Sequence, residues 1–316
     1  MHMTAEALSE APATSSSIPP PRVAALTIVR DEPFFLPLWH RHYSRAFAPD
    51  DLYCLHHVTT AEEQVADPAF AEALRLFRKD RVECVVEPLF DPVWLRKVVR
   101  DRVGTLLAAG YSAVLFAEVD ELLVPANGNL ATYVVGFANS GRTAVRCIGW
   151  EVHHDMTSEP SLDLSRPVLA QRGWWHRNAK YDKVRDDAFA PAERAASVST
   201  ANLTRAPPVC CPLCYRVKAL LTTVPLAWSL GFHECEESVP LDEGWLLVHL
   251  HKYDFQAFLA RHEARCKYEH APEAIERQWN AHYRASGGAL VAQYLNLPAA
   301  LEPIPSWVRD TALPGI

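Results

Sequence analysis

The sequence predicts an α/β protein with an open, mostly parallel sheet that is flanked by helices. Short apolar, β-branched segments alternate with longer amphipathic segments over residues 22–125. Strands that are buried on both faces of a parallel sheet are apolar throughout, and helices connect them. After Pro125 the alternation stops, and an irregular region and a charged, helical C-terminal region are expected instead. Together these observations favour the α/β class.

Four strands are expected in the first half of the chain. Each is a short run of apolar residues that ends at polar or turn-forming residues. The continuous apolar and β-branched character of the first run, residues 23–29, indicates burial on both faces of the sheet. The expected strands cover residues 23–29, 52–57, 82–86 and 113–117.

A helix is expected after each of the first three strands. The third helix is the clearest, because Asp91 can cap its N-terminus, Pro92 suits its first turn and Gly110 suits its C-terminal end. Apolar residues recur within it at spacings of three and four, as on the buried face of a helix. The three helices are expected over residues 34–47, 67–79 and 91–110.

The second half of the chain is expected to be less regular. A strand is expected over residues 142–152, and a polar, irregular stretch follows over residues 153–208. Two shorter apolar runs suggest strands, and the last charged segment has helical character. These three segments cover residues 219–224, 245–250 and 254–294.

Composition limits the classes of function. The 316-residue chain has a formal net charge of −7, so it lacks the basic footprint of a nucleic-acid-binding protein. No apolar run reaches the ~18 residues of a transmembrane helix. Residues 1–21 are expected to be a disordered tail without a secretory signal, and residues 22–316 one domain. Eight cysteines without such a signal indicate reduced thiols in a cytoplasmic protein, with peripheral attachment to the inner membrane as an alternative.

Several common enzyme classes lack their motifs in this chain. There is no G-x-G-x-x-G or Walker A loop, so a dehydrogenase or a P-loop NTPase is unsupported. A serine hydrolase of the α/β type would need a G-x-S-x-G elbow, which is also missing.

A close group of thiols lies at Cys210, Cys211 and Cys214. Cys211 and Cys214 have the C-x-x-C spacing of half a zinc site, and His233 or Cys235 could be further ligands. No second close-spaced pair accompanies them, so a turn with packed or redox-labile thiols is the alternative.

Two carboxylates follow the fourth strand. Glu118 and Asp120 are two residues apart, so their side chains would share one face if the strand continued through them. Ligands of open parallel sheets bind beyond the carboxyl ends of the strands. Two like charges at that place suit a divalent cation, Mn²⁺ or Mg²⁺, bound to a diphosphate. Solvated surface charges are the alternative interpretation.

Four segments in a fixed order carry a family resemblance. Residues 30–40 are similar to an N-E-x-x-x-L-x-E-W opening motif, and residues 116–123 to a D-x-D-E-F box. Residues 180–184 are similar to a K-x-I segment, and residues 248–255 to an N-H-Y-x-x-[KR]-S end motif. As an ordered set over residues 22–265, they resemble bacterial glycosyltransferases of the family 2 type, in particular the branch near family 92.

The resemblance implies a GT-A fold, a nucleotide-sugar donor and a saccharide or other hydroxyl acceptor. The nucleotide-binding half would cover residues 22–125, the acceptor-side half residues 126–265 and C-terminal helices residues 266–316. The chain departs from the family pattern in three places: Glu118 replaces the first acid of the box, Asp31 replaces the opening Asn, and His56 to Thr60 replace the usual end of the second strand.

The resemblance also implies the roles of individual residues. Asp120, His249 and His251 would hold the Mn²⁺ or Mg²⁺ ion, with Glu118 on the nucleotide side. The loop after the first strand would lie beside the nucleotide. The implied donor-binding residues are Arg30, Asp31, Glu32, Arg100, Glu118, Lys180 and Lys183.

An inverting transferase needs a general base for the acceptor hydroxyl. Asp155 and Glu234 are the favoured candidates, and Glu151, in the strand expected over residues 142–152, is a third. Trp174 and Trp175 would suit either a sugar-stacking wall or the core. A nucleotide-sugar hydrolase, a nucleotidyltransferase and a non-catalytic zinc-stabilised binding protein remain as alternatives.

Overall fold

One continuous sheet, with helices packed against it, organises the molecule. The structure is a computed structural model. It describes residues 20–63, 65–126, 129–163, 166–177, 217–232, 235–237, 239–277, 279, 284, 288, 291 and 301–310.

The sheet contains ten strands among the residues that are described. They are β1 (Val23–Val29), β2 (Leu52–Val58), β3 (Val82–Val86), β4 (Ala113–Phe116), β5 (Glu121–Pro125), β6 (Ala144–His153), β7 (Trp174–Arg177), β8 (Val217–Thr222), β9 (Leu241–Lys252) and β10 (Leu301–Pro303).

Seven α-helices lie within the same described ranges. They are α1 (Phe35–Tyr43), α2 (Pro68–Leu74), α3 (Pro92–Ala108), α4 (Leu130–Ala138), α5 (Phe255–Arg265), α6 (Pro272–Glu276) and α7 (Ser306–Asp310).

The first half of the sheet is parallel, in the order β3–β2–β1–β4. All seven residues of β2 are buried, as are six of the seven in β1. This confirms the predicted two-sided burial of β1, whereas β3, at the edge of the sheet, has three of its five residues exposed. The result is an α/β fold with an open sheet flanked by helices.

The second half of the sheet is mainly antiparallel. β8 is antiparallel to β4 and to the first part of β6, while β7 is antiparallel to the last part of β6. β9 runs parallel to β6 and carries β5 as an antiparallel neighbour. The parallel arrangement expected from the sequence therefore describes the half formed by β1 to β4.

Several predicted boundaries are shifted in the structure. α1 ends at Tyr43 and α2 at Leu74, so both helices are shorter than their sequence patterns suggested. α3 is capped as predicted, because Asp91 accepts a hydrogen bond from the Val93 amide. Gly110 follows α3 with a φ of 95°, a conformation that glycine adopts without strain.

Helix α1 fastens the parallel half to β5. The Tyr43 hydroxyl donates to the carbonyl of Glu121 and accepts from the amide of Leu123, both at 3.1 Å. His42 Nε2 lies 2.9 Å from the carbonyl of Leu123. With Trp39 fully buried beside Tyr43, this contact fixes the start of β5 and hence the turn that precedes it.

No helix in the described part of the chain is both long enough and apolar enough to span a membrane.

The buried His42 predicts a pH-dependent stability. Burial lowers its pKa to about 4 in the folded protein, against 6.5 when unfolded. The neutral ring is therefore favoured by folding, and this contribution is complete above pH 6.5 and is lost as the pH falls towards 4. When the pH is lowered from about 7.5 to about 5, His42 should reduce the free energy of unfolding by about 2 kcal/mol. Urea unfolding at the two pH values measures this loss, which should be about 2 kcal/mol smaller in His42→Gln. An equal loss in the variant would contradict the prediction.

Candidate functional site

The candidate site lies at the carboxyl edge of the parallel strands. The loop after β1 brings Arg30 and Glu32 to this edge, and the turn after β4 brings Glu118 and Asp120. This is where an open α/β sheet places its ligands.

The two carboxylates of the box lie in a turn, not on a strand. β4 ends at Phe116 and β5 begins at Glu121, and the Glu121 amide donates to the Glu118 carbonyl at 2.9 Å. The expectation that Glu118 and Asp120 share a strand face is therefore wrong, because alternation holds only in extended backbone. Their side chains instead bind two different cations, Lys218 and Arg261.

Lys218 neutralises one side of the turn. It lies on β8 with its side chain buried, and Nζ contacts Glu118 Oε2 and Glu121 Oε1, the latter at 2.6 Å. The second oxygen of Glu121 accepts the Glu118 amide at 2.9 Å, so this carboxylate also closes the turn. Burial acts to lower the pKa of Lys218, but the two carboxylates outweigh it and raise the pKa, so the ammonium stays charged.

Asp120 lies on the other side of the turn and is 5% exposed. Arg261 of α5 donates to its Oδ2, and His249 Nε2 and His251 Nδ1 of β9 lie 3.5 Å and 3.8 Å from the same oxygen. Burial acts to raise the pKa of Asp120, but Arg261 and the imidazoles hold it well below its usual range. The predicted ligands Asp120, His249 and His251 are thus brought together around one ionised carboxylate.

Arg261 also joins the loops after β1 and β4. Its Nε donates to Glu32 Oε1 at 2.7 Å, while its Nη1 donates to Asp120. Arg265, one turn later on α5, donates to the same Glu32 oxygen at 3.1 Å. Glu32 is therefore held by α5, and its oxygens face cations of the protein itself.

Arg30 lies in the loop after β1, where its Nε is 4.0 Å from Asp31 Oδ2. Its guanidinium lies over the Tyr268 ring at 4.1 Å, and its Nε and Nη1 are buried without a hydrogen-bond partner among the described residues. The next residue, Asp31, has a φ of 52°, a left-handed conformation that Asp tolerates better than most residues. Buried donors without an acceptor are rare in proteins, so this group suits an anionic ligand.

A second polar cluster lies farther along the sheet. Glu151 and His153 of β6 face His176 of β7, and His153 Nε2 is 2.7 Å from His176 Nδ1. His249 Nδ1 lies 3.8 Å from Glu151 Oε1 and so connects this cluster to Asp120. Burial acts to raise the pKa of Glu151, but Lys252 and the imidazoles around it lower the pKa to about 2.

Asp155 is placed in the turn that follows β6. Its Oδ1 accepts from the amide and hydroxyl of Thr157 at 3.0 and 2.6 Å, and its Oδ2 accepts from Ser158 Oγ at 2.6 Å. These bonds lower the pKa of Asp155 and weaken it as a base. Its catalytic role stays a prediction.

The remaining predicted residues are scattered or outside the described ranges. Arg100 is exposed on α3. Trp175 is buried and stacks on Trp150 at 4.4 Å, whereas Trp174 is 37% exposed. The predicted residues that lie outside the described ranges are Lys180, Lys183, Cys210, Cys211, Cys214, His233 and Glu234.

Three cations of the site, Lys218, Arg261 and Arg265, were not predicted from the sequence. Lys218 lies on β8, which pairs with β4 although about a hundred residues separate them. Arg261 and Arg265 follow the His249 strand on a helix, and their spacing of four places them on one face. That spacing could have indicated two cations on one helix face. The contact of Lys218 with the turn after β4, in contrast, depends on the pairing of β8 with β4.

The chain matches no protein family and no curated protein. Among solved structures it is similar to S. aureus TarS, with 9% identity and a TM-score of 0.33 over 87% of this chain and 43% of that one. It is also similar to TarS 1–349, with 11% identity and a TM-score of 0.32. For TarS 1–349 in complex with UDP, the values are 10% and 0.31. Each of these two matches covers 88% of this chain and 76% of the other.

The chain thus spans 43% of the length of the first of these structures. At such identities and TM-scores, the likeness does not assign the chain to a family.

Lys218 is expected to be essential for stability. Lys218→Met leaves two carboxylates, one of them fully buried, without their cation, and should lower the free energy of unfolding by about 3–5 kcal/mol. Urea unfolding measures the change. Lys97→Met is the matched control, because Lys97 is paired with Asp101 in an exposed i,i+4 contact and its loss should change stability by less than about 0.5 kcal/mol. Equal effects of the two substitutions would contradict the assigned role of Lys218.

Proposed function

We propose that the protein is a glycosyltransferase that uses a nucleotide-sugar donor and a hydroxyl acceptor. The observation that carries this proposal is the grouping of Asp120, His249 and His251 at the carboxyl end of β4. Arg261 links the same carboxylate to Glu32 in the loop after β1. A nucleotide that lies across the ends of β1 and β4 would contact both loops.

The charges of the site support a diphosphate ligand. The protein has a net charge of −7, so an anion must be attracted locally rather than by the whole surface. Arg30 offers two buried nitrogens without a hydrogen-bond partner among the described residues. Guanidinium groups bind phosphate oxygens well because their planar donors match two acceptors at once.

A divalent ion fits the donor set at Asp120, and this ion is part of the proposal. One carboxylate oxygen with two imidazole nitrogens at 3.5 and 3.8 Å suits Mn²⁺ better than Mg²⁺, which prefers oxygen ligands. Arg261 contacts the same oxygen, so its guanidinium must share the carboxylate with the ion or move. When bound, such an ion supplies positive charge for the leaving diphosphate.

The protein's own residues have separate tasks in this proposal. Arg30 and Arg261 face the phosphates, while Lys218 and Glu121 keep the turn of the box in place. Trp174, which is 37% exposed, is available for an acceptor sugar. The general base is proposed among Asp155 and Glu234, and the inverting outcome rests on that assignment.

Donor binding tests the proposal through Asp120. UDP-, GDP- and dTDP-sugars are titrated calorimetrically with and without Mn²⁺, into wild type and Asp120→Asn. We expect one donor to bind in a Mn²⁺-dependent manner. The variant should bind this donor at least about 10-fold more weakly, because it lacks the charged carboxylate that binds the metal while the side-chain volume is unchanged.

Asp101→Asn removes an exposed acid from α3 and should bind like wild type, which makes it the matched control. Failure of every donor to bind would overturn the proposal. Binding followed by sugar release to water alone, with no acceptor product, would indicate a nucleotide-sugar hydrolase instead.

Arg30 gives a test that does not depend on the metal. Arg30→Gln removes the two unpaired donors and should weaken binding of the nucleoside diphosphate by about 10-fold or more, because each charged hydrogen bond contributes about 1.5–3 kcal/mol. The comparison is Arg102→Gln, whose guanidinium pairs with Glu83 at 2.9 Å. If Arg102→Gln weakened binding as much as Arg30→Gln, the assigned contact would be wrong.

A further inference from the structure

We propose that Glu151, His153 and His176 form a binding site for a transition-metal ion, with Zn²⁺ as the best-suited ion. One ligand atom from each residue lies within 4.8 Å of the others. Among the described residues, only these three of the His, Cys, Asp and Glu side chains bring their potential ligand atoms so close together. The site lies beside the group of Asp120, His249 and His251, because His249 Nδ1 is 3.8 Å from Glu151 Oε1, but it uses other ligands and does not depend on the proposed transferase activity.

Strand pairing holds the three side chains on one face of the sheet. Glu151 and His176 are direct partners in the antiparallel pair of β6 and β7. His153 is two residues after Glu151 on β6, so its side chain points the same way. Directly opposed residues have Cβ atoms about 5 Å apart, which lets their side chains reach one ion. The backbone therefore arranges the ligands before any ion binds.

The donor set favours zinc over magnesium. Two imidazoles and one carboxylate are a common protein ligand set for Zn²⁺, with bonds of about 2.0–2.2 Å and an open fourth position. The nitrogens of His153 and His176 are 2.7 Å apart. Two ligands of a tetrahedral ion with such bonds are about 3.3 Å apart, so a small rotation of one ring would admit the ion.

Two atoms of the cluster are buried without a hydrogen-bond partner. They are Glu151 Oε1 and His153 Nδ1, in residues that are 4% and 1% exposed. Most buried polar atoms in proteins are satisfied, and an unsatisfied one calls for an explanation such as a bound ion. Glu151 Oε1 lies 3.8 Å from His249 Nδ1, which is beyond hydrogen-bond distance, and a bound cation would give this oxygen a direct partner.

One charge opposes a cation at this place. Lys252 of β9 is paired in register with His153 and is 8% exposed. An ion that is held mainly by charge would be disfavoured beside this ammonium. Zn²⁺ is held strongly by imidazole nitrogen, which is a further reason to expect zinc rather than a hard ion.

The ion would join β7 to the sheet. β7 has four residues, and its other neighbour, β10, has three. An ion that binds the folded protein and not the unfolded chain raises its stability in proportion to ligand concentration. Zinc should therefore raise the melting temperature of the full-length protein.

The test is metal binding by the full chain in the absence of any sugar nucleotide. Cys210, Cys211 and Cys214 are replaced by Ser so that their thiols do not bind the metal. After treatment with a chelator and its removal, Zn²⁺ is titrated by calorimetry and the melting temperature is followed. We expect tight binding and a higher melting temperature, with affinity falling more than about 100-fold in Glu151→Gln and in His176→Gln.

Two control variants show whether the effects are specific to this cluster. His270→Gln changes another partly exposed histidine, outside the cluster, and should keep both effects. Asp120→Asn should also keep them, which separates this site from the proposed donor site.

Co²⁺ is also added to protein that retains Glu151, His153 and His176, and its absorption spectrum should show nitrogen and oxygen coordination. This measurement tests the site even if a variant folds poorly. The proposal is overturned if zinc does not bind, or if the binding measured in Asp120→Asn persists when Glu151→Gln or His176→Gln is added to that variant.

Discussion

The candidate site depends on one guanidinium that neutralises two buried carboxylates, which lie far apart in sequence but follow the neighbouring strands β1 and β4. Arg261 donates to Glu32 after β1 and to Asp120 after β4. A buried carboxylate without a cation is strongly destabilising, so neither loop can adopt this arrangement without α5. The helix that follows β9 is thus required to assemble the edge at which the parallel strands end.

The same constraint operates on the other side of the turn after β4. Lys218 from β8 pairs with Glu118 and Glu121, so the acidic box is divided between two cations. This division explains how several acids can lie close together in a buried turn. It also separates their tasks, because Glu121 closes the turn through a backbone amide while Asp120 faces the imidazoles of β9.

Much of the fold and part of the site follow from local patterns. The run that became β4 is apolar throughout, the run that became β1 is apolar except for Thr27, and α3 begins with the predicted cap at Asp91-Pro92. The grouping of Asp120 with His249 was also expected. The shared face of Glu118 and Asp120 was not found, because the strand stops at Phe116 and the next residues form a turn. A period-two argument fails where the backbone is no longer extended.

The sequence by itself determined the α/β class, the parallel half of the sheet and the position of the acidic residues at a strand end. These depend on burial and on local backbone preferences, which act over a few residues. Only the tertiary structure decided which cations the acids meet and that Glu151 lies opposite His176. Such pairings join residues that are far apart in sequence, and their register is fixed by strand pairing and packing rather than by any local pattern.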